Sequence, residues 1–390
     1  MAPLRVLELY SGIGGMHCGL TESGVSAEVV AAVDVNTTAN EVYKHNFPNT
    51  PLWPKSIEGI SLEELDSLAP DMILMSPPCQ PFTRIGLQGD VSDPRAKSFL
   101  YILEILPRLQ KPPRYILLEN VKGFETSEAR DALIRTLENH GYIYQEFLLS
   151  PPCLGIPNSR LRYFLIAKLQ GEPFAFQTTN KILEEFPRSD TSEPACPSSA
   201  VCRQRNLQTD EKSLRHKQWP EGAFLYKLET AEQLERKRSQ DNDCSVQTLQ
   251  DFLEDSVESG PYLLPPKALL RYALILDIVK PACRRSTCFT KGYGHYVEGT
   301  GSILQAATDV EISSAYESLE TLCDEEKLAK LSTLKLRYFT PREIANLHGF
   351  PAQFDFPDKI TTKQRYRLLG NSLNVHIVAK LISLLLKSTM

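Results

Sequence analysis

The 390-residue chain has no surplus of positive charge: 43 Lys and Arg stand against 48 Asp and Glu, a formal charge of -5. That balance excludes a protein that coats nucleic acid without preference, and it confines any nucleic-acid site to a local patch. Long apolar runs are also missing. The longest late one, Val375 to Leu386, is interrupted by His376 and Lys380, so it predicts a packed terminal helix and no membrane partner. Nine cysteines are scattered without a C-x-x-C pair or regular spacing, which leaves neither a zinc site nor a disulfide framework to expect. No stretch reads as a secretory leader, because Leu4 to Leu9 runs straight into a glycine loop. A reduced, intracellular, metal-free protein is expected, with the cytoplasm as default and nuclear residence left open. With 42% hydrophobic and 23% charged residues, a sizeable core is available to one large or two modest domains.

What is present is organised around Cys79. Pro77, Pro78 and Pro81 box this cysteine at the end of the apolar run Asp71 to Met75, the pattern of a strand buried on both faces of a parallel sheet. A thiol fixed at a strand's carboxyl end suits a nucleophile better than a packed core cysteine. Leu4 to Leu9 predicts a first strand, followed by a tight turn through Gly12, Gly14 and Gly15 and a helix from Met16 to Ser23. Val29 to Val33 predicts a second strand ending in Asp34, a carboxylate placed to accept the hydroxyls of a nucleotide ribose. The third glycine of a nicotinamide-dinucleotide fingerprint is absent, which favours S-adenosylmethionine over NAD.

Further along, Ser61 and Glu64 open a helix, and a long polar loop from Thr83 to Pro94 follows Cys79. Tyr115 to Leu118 is the next buried strand, ending in Glu119, which puts a second reactive side chain on the edge that carries Cys79. Arg160 and Arg162 stand at alternate positions of an entering strand, facing the same way, suited either to a phosphate or base carbonyl or to an exposed strand face. From about Gly171 to Gly260 apolar periodicity fades, which predicts a flexible insertion, and Glu235 to Arg238 a solvated helix face. Lys267 to Ile278 reads as helical. Arg284 to Gly294 is a basic, aromatic, glycine-rich loop, suited to splayed single-stranded nucleic acid or to a structural turn. Thr340, Pro341 and Glu343 form a capping-box helix start.

Taken in order, Tyr10 to Gly15, Pro78 to Gln80, Glu119 to Val121, Arg160 to Arg162 and Gly370 to Ser372 resemble the motifs of the cytosine-5 methyltransferase family. The triplet Cys288-Phe289-Thr290 and the lack of an appended chromatin-reading domain resemble its branch that methylates transfer RNA. The resemblance implies an α/β fold: a doubly wound, Rossmann-like sheet with a small target-recognition domain. Residues 1–175 would form the catalytic and cofactor domain. Residues 176–335 would form the target-recognition region, with a flexible insertion at about 187–245, and residues 336–390 would return to the first domain. It implies Cys79 as nucleophile, Glu119 beside ring nitrogen 3, and Arg162 with Arg160 orienting the base. For S-adenosylmethionine it implies Ile13, Gly14, Gly15, Asp34, Ile57, Glu58, Ser76 and His376. For substrate it implies Arg84, Cys288, Phe289, Thr290 and Lys291. The expected reaction methylates an anticodon-loop cytosine of tRNA, that of tRNA-Asp, by a monomeric enzyme. DNA is the alternative polymer, and a non-catalytic binding regulator the alternative class.

Overall fold

Short runs of apolar, β-branched residues ending in glycine, proline or acid produce the sheet. The computed structural model describes residues 2–78, 96–171, 173–187 and 230–387. Seven strands make one sheet: β1 (Leu4–Leu9), β2 (Ala27–Val33), β3 (Leu52–Trp53), β4 (Met72–Met75), β5 (Tyr115–Val121), β6 (Tyr142–Leu149) and β7 (Arg162–Leu169). Their order is β3-β2-β1-β4-β5-β7-β6, parallel from β3 to β5. Strand β7 runs antiparallel between β5 and β6. The chain leaves β1 towards one edge and β4 towards the other, so the switch point lies between the carboxyl ends of β1 and β4, where open α/β sheets hold ligands. Both predicted site loops, after Leu9 and after Met75, emerge there.

Helices cover both faces. On one lie α3 (Leu62–Leu68), α4 (Lys97–Ile105) and α5 (Glu128–Asn139), whose apolar sides share a layer with Leu7, Ile73, Ile116 and Leu165. Ser61 and Glu64 close the expected capping box on α3, and Ser127 caps α5. On the other face lie α1 (Gly15–Glu22), α2 (Thr37–Asn46) and, arriving from the far end of the chain, α12. Residues 173–187 stay attached to the sheet: Leu183 pairs with Phe147 and Phe174 is buried.

The second unit holds α6 (Ala231–Asp241), α7 (Pro266–Tyr272), α8 (Ile312–Tyr316), α9 (Asp324–Ser332), α10 (Pro341–Leu347) and α11 (Thr362–Asn371) around a three-stranded sheet. That sheet contains β8 (Ile278–Val279), β9 (Ile303–Gln305) and β10 (Leu336–Arg337), ordered β10-β9-β8. Three expectations change here. The helix begun at Pro266 ends at Tyr272, because Ile278 and Val279 are taken as a strand by β9. Residues 230–241, expected within a flexible insertion, form α6, which Lys237 ties to Asp277 at 2.6 Å. Residues 336–347 join the second unit, since β10 pairs with β9 and Ile344 and Leu347 enter its core. Thr340 caps α10 with the expected box, and Glu343 also takes both guanidinium nitrogens of Arg337. The return to the first unit is made by α12 (Val375–Leu386), whose Ile377, Val378, Leu381 and Ile382 are buried against α1 and the sheet. A Cβ on Gly19 of α1 would lie 2.5 Å from Val378, which shows how closely the two helices approach.

Candidate active site

At the switch point a cleft encloses about 300 Å³, within the range of small-molecule sites. Its first wall is the turn after β1. Tyr10 sits in the left-handed region at φ 58, a strained setting for a non-glycine residue, and Gly12 and Gly14 follow at φ 53 and 88. A side chain on Gly14 would collide with the Phe47 ring, and one on Gly15 would meet Leu373 and Ser372. Asp34 closes the turn: its two carboxylate oxygens accept the N–H groups of Gly12 at 2.8 Å and Asn36 at 2.7 Å. Burial pushes this carboxyl up, against the pull of those N–H groups. Ile13, Gly15, Asp34 and Ser76 line the cleft, and Gly14 caps α1 beside it.

The second wall comes from the end of β5 and the start of β7. Glu119 is buried, its Oε1 3.5 Å from Arg162 Nε. Burial raises its carboxyl above the ordinary glutamate value, and Arg162 and Arg160 oppose that rise without overcoming it. A carboxyl so placed can hold a proton and donate it. Pro77 and Pro78 line the cleft alongside; Cys79, Arg84 and the loop to residue 95 lie outside the described residues.

The third wall joins the two units. Asn158 donates to Ser286 Oγ and the Thr287 carbonyl, and Ser159 N–H to the Ser286 carbonyl. Arg160 follows, 2% exposed, donating to the carbonyls of Phe289 at 2.9 Å and Gly370 at 3.0 Å, and to that of Ser372. This departs from the expected pair of arginines on one strand face: β7 begins only at Arg162, and the Arg160 guanidinium holds backbone in place while Arg162 meets Glu119. Cys288 Sγ lies 3.4 Å from Arg160 and 3.9 Å from Arg162. Burial opposes ionisation of this thiol, and the two guanidiniums outweigh it, holding its pKa below the ordinary value.

Other expectations are redirected. Ile57 turns its side chain into the apolar layer with Leu7, Ile60 and Leu65, and Glu58 is exposed near Tyr10 without lining the cleft. His376 is paired with Glu22 at 2.5 Å on the outer side of α1, in a different recess with Phe47 and Phe350. Phe289 is 1% exposed, packed edge-on against Tyr293 and Phe339, so its ring supports the wall from within. Thr290 is half-buried and Lys291 exposed; their shared peptide lies against Gly370, where any side chain would strike it. The sequence reading missed Ser11, Val35, Asn36 and Leu373, all on the cleft. Ser11 and Val35 could have been found, as they flank the glycine turn and Asp34.

The residues present fit a nucleoside-bearing cofactor. Asp34 offers a carboxylate, Val35 an apolar face that is 64% exposed, and Ser11 a buried hydroxyl with no partner among the described residues. Among the described residues no group of His, Cys, Asp and Glu has the arrangement of a metal site.

The glycine turn, the acid at the end of β2 and the glutamate–arginine pair at one switch point define a methyltransferase-type site, and comparison with known proteins gives the same class. The sequence profile of C-5 cytosine-specific DNA methylases matches residues 4–387, and the chain belongs to that family of cytosine-5 methyltransferases, which use S-adenosylmethionine. A Homo sapiens relative named tRNA (cytosine(38)-C(5))-methyltransferase is 64% identical over 391 residues, covering 99% of this chain and 100% of the relative. A Dictyostelium discoideum relative named DNA (cytosine-5)-methyltransferase is 42% identical over 388 residues, 99% of this chain and 95% of the relative. The solved structure of a Spodoptera frugiperda DNMT2 mutant superposes with a TM-score of 0.77 at 38% identity, covering 98% of this chain and 100% of that one.

Proposed function

We propose that this chain methylates carbon 5 of a cytosine in tRNA, the counterpart of the cytosine 38 in its relatives' names, lying in the anticodon loop of tRNA-Asp. The observation that carries the reading is Glu119, buried with its carboxyl raised above the ordinary value, beside Arg162 at the cleft that Ser76, Pro77 and Pro78 enter. Identity of 64% across the whole chain to a tRNA-named relative supports the choice of polymer.

The residue types follow from the chemistry. Carbon 5 of cytosine is too electron-poor to take a methyl group directly, so the thiolate of Cys79 adds at carbon 6. The electron pair displaced into the ring is accepted at nitrogen 3 by the proton of Glu119, leaving an enamine with a nucleophilic carbon 5. Arg162 keeps Glu119 oriented and donates to the base carbonyl, and Arg160 fixes the backbone on which Gly370, Ser372 and Phe289 stand. S-adenosylmethionine supplies the electrophilic methyl group; Ile13, Gly14, Gly15, Asp34 and Ser76 would hold it. Water then takes the carbon-5 proton, the sulfur–carbon bond breaks so that Cys79 leaves as thiolate, and nitrogen 3 returns its proton to the Glu119 carboxylate. An anticodon loop presents unstacked bases, whereas duplex DNA demands a flip of roughly a few kcal/mol. A cytoplasmic monomer suffices for this chemistry.

The test is transfer of labelled methyl from S-adenosylmethionine to matched tRNA and genomic DNA, with wild type beside Cys79→Ala. Label in tRNA alone, absent in the variant, is the expected result. Label in DNA alone would replace the substrate with that of the Dictyostelium relative's name. No label in either, under conditions where cofactor binds, would remove the catalytic reading.

A further inference from the structure

Outside the three walls, the loop between Cys288 and Gly301 carries an exposed aromatic side chain that the packing of the fold does not use. Its neighbours Phe289 and Tyr293 are buried with Tyr338, Phe339 and Tyr366 in a cluster of edge-on rings. Tyr296, three residues on, is 64% exposed, as exposed as any large apolar side chain among the described residues. An unburied tyrosine ring is ordinarily attached to a mobile turn. This one is held.

The amide of Tyr296 donates to the Gly292 carbonyl at 2.8 Å, as that of His295 does at 3.0 Å, and its own carbonyl accepts the Thr300 hydroxyl at 2.7 Å. One side of the ring rests over Gly292, where an added Cβ would stand 3.1 Å away, and His295 meets it edge-on at 4.6 Å between centroids. Gly294, at φ 75, lets the chain pass Tyr366, and the buried Tyr293 anchors the turn through hydrogen bonds to the Ser302 carbonyl and from Phe339 N–H. The base of the same loop is the third wall itself: Cys288 lies against Arg160 and Arg162, and the Thr290–Lys291 peptide against Gly370 of the cleft. A fixed ring with an open side, rooted in the active-site wall, is a preorganised stacking surface.

We propose that Tyr296 is a positioning residue that stacks on an unpaired nucleobase flanking the target cytosine. The inference rests on the tRNA reading above and names how that substrate is gripped. Charge does not serve the purpose here, because Lys291 and Glu298 offset one another within the turn. The ring must therefore carry the contact, and every base has a face to offer it.

The test uses the full chain and tRNA bearing the target cytosine, with Tyr296→Ala and Tyr296→Phe. Loss of the ring should raise the Kd and KM for tRNA roughly 5- to 150-fold, the scale of one base–aromatic stack. Phenylalanine should restore wild-type values, cofactor affinity should not move, and the salt slope of tRNA binding should stay the same, since no phosphate contact is lost. Abasic substitution at each position flanking the cytosine should reveal one whose penalty disappears in Tyr296→Ala. Wild-type affinity in the alanine variant would overturn the proposal. So would a phenylalanine variant as weak as alanine, or abasic penalties that all add independently. A wild-type protein that binds cofactor and labels no tRNA would overturn the tRNA reading and this inference together.

Discussion

Two ionisable side chains are enclosed, one within the sheet and one in the third wall of the cleft, and the fold treats them in opposite ways. Glu8, 0% exposed next to the end of β1, accepts the Tyr43 hydroxyl at 2.7 Å, and Tyr43 in turn meets His17 at 2.8 Å. Burial, opposed by the Tyr43 hydrogen bond, raises its carboxyl to about 8, so at neutral pH it is largely uncharged. Arg160 has no such escape. Burial lowers its guanidinium only to about 10, and it stays a cation, stabilised by three backbone carbonyls from two distant segments. The sheet tolerates a buried acid by neutralising it; the wall built between the units is organised by a charge it cannot remove.

The largest effect should come from Arg160→Ala, which leaves three carbonyls without their donor. A loss of about 3–5 kcal/mol in denaturant unfolding is expected, with activity gone and no rescue by lysine, which cannot bridge the same carbonyls. Unchanged stability would put the two side chains on an equal footing. Next is Glu8→Gln. The folded carboxyl lies above its unfolded value of 4.5, so the native state holds the extra proton and wild-type stability falls as pH rises from about 4.5 to about 8. Glutamine should abolish that slope and gain stability on the order of a few kcal/mol by pH 8. A variant with the wild-type slope would show that Glu8 is not the group titrating. Gly370→Ala presses a methyl group into the Thr290–Lys291 peptide, for about 1–3 kcal/mol and a matching fall in tRNA methylation. The smallest stability effect belongs to Arg162→Ala, about 1 kcal/mol, because the buried Glu119 carboxyl, already raised by its surroundings, can take up a proton when its partner is removed, while activity still falls steeply. Comparable destabilisation by the two arginine variants would erase the distinction between them.

The legibility of the sequence divides along the same line. Strands β1, β2, β4 and β5 are readable because each is a short apolar run closed by a distinctive signal: the glycine turn, Asp34, the Cys79 motif and Glu119 in that order. Local capping pairs, Ser61 with Glu64 and Thr340 with Glu343, announced helix starts for the same reason. Arg160 could be named but not placed, since its partners Gly370 and Ser372 are over two hundred positions away. The small sheet was hidden because β8 and β10 are two residues long and β9 three, too short for a period. The resemblance assigns His376 to the cofactor, and the structure pairs it, in the first turn of α12, with Glu22, a contact between residues far apart in sequence.

The covering of β1 by α12 has a consequence for how the protein is made. The first strand is made well before the helix that seals its face against water through Ile377, Val378 and Leu381. Until then the Met16, Leu20 and Val29 side chains beneath it have no native cover, and the Gly15 turn lacks Leu373 and Ser372 as its neighbours. The cleft therefore closes only once α12 and the residues just before it have joined strands made long before them.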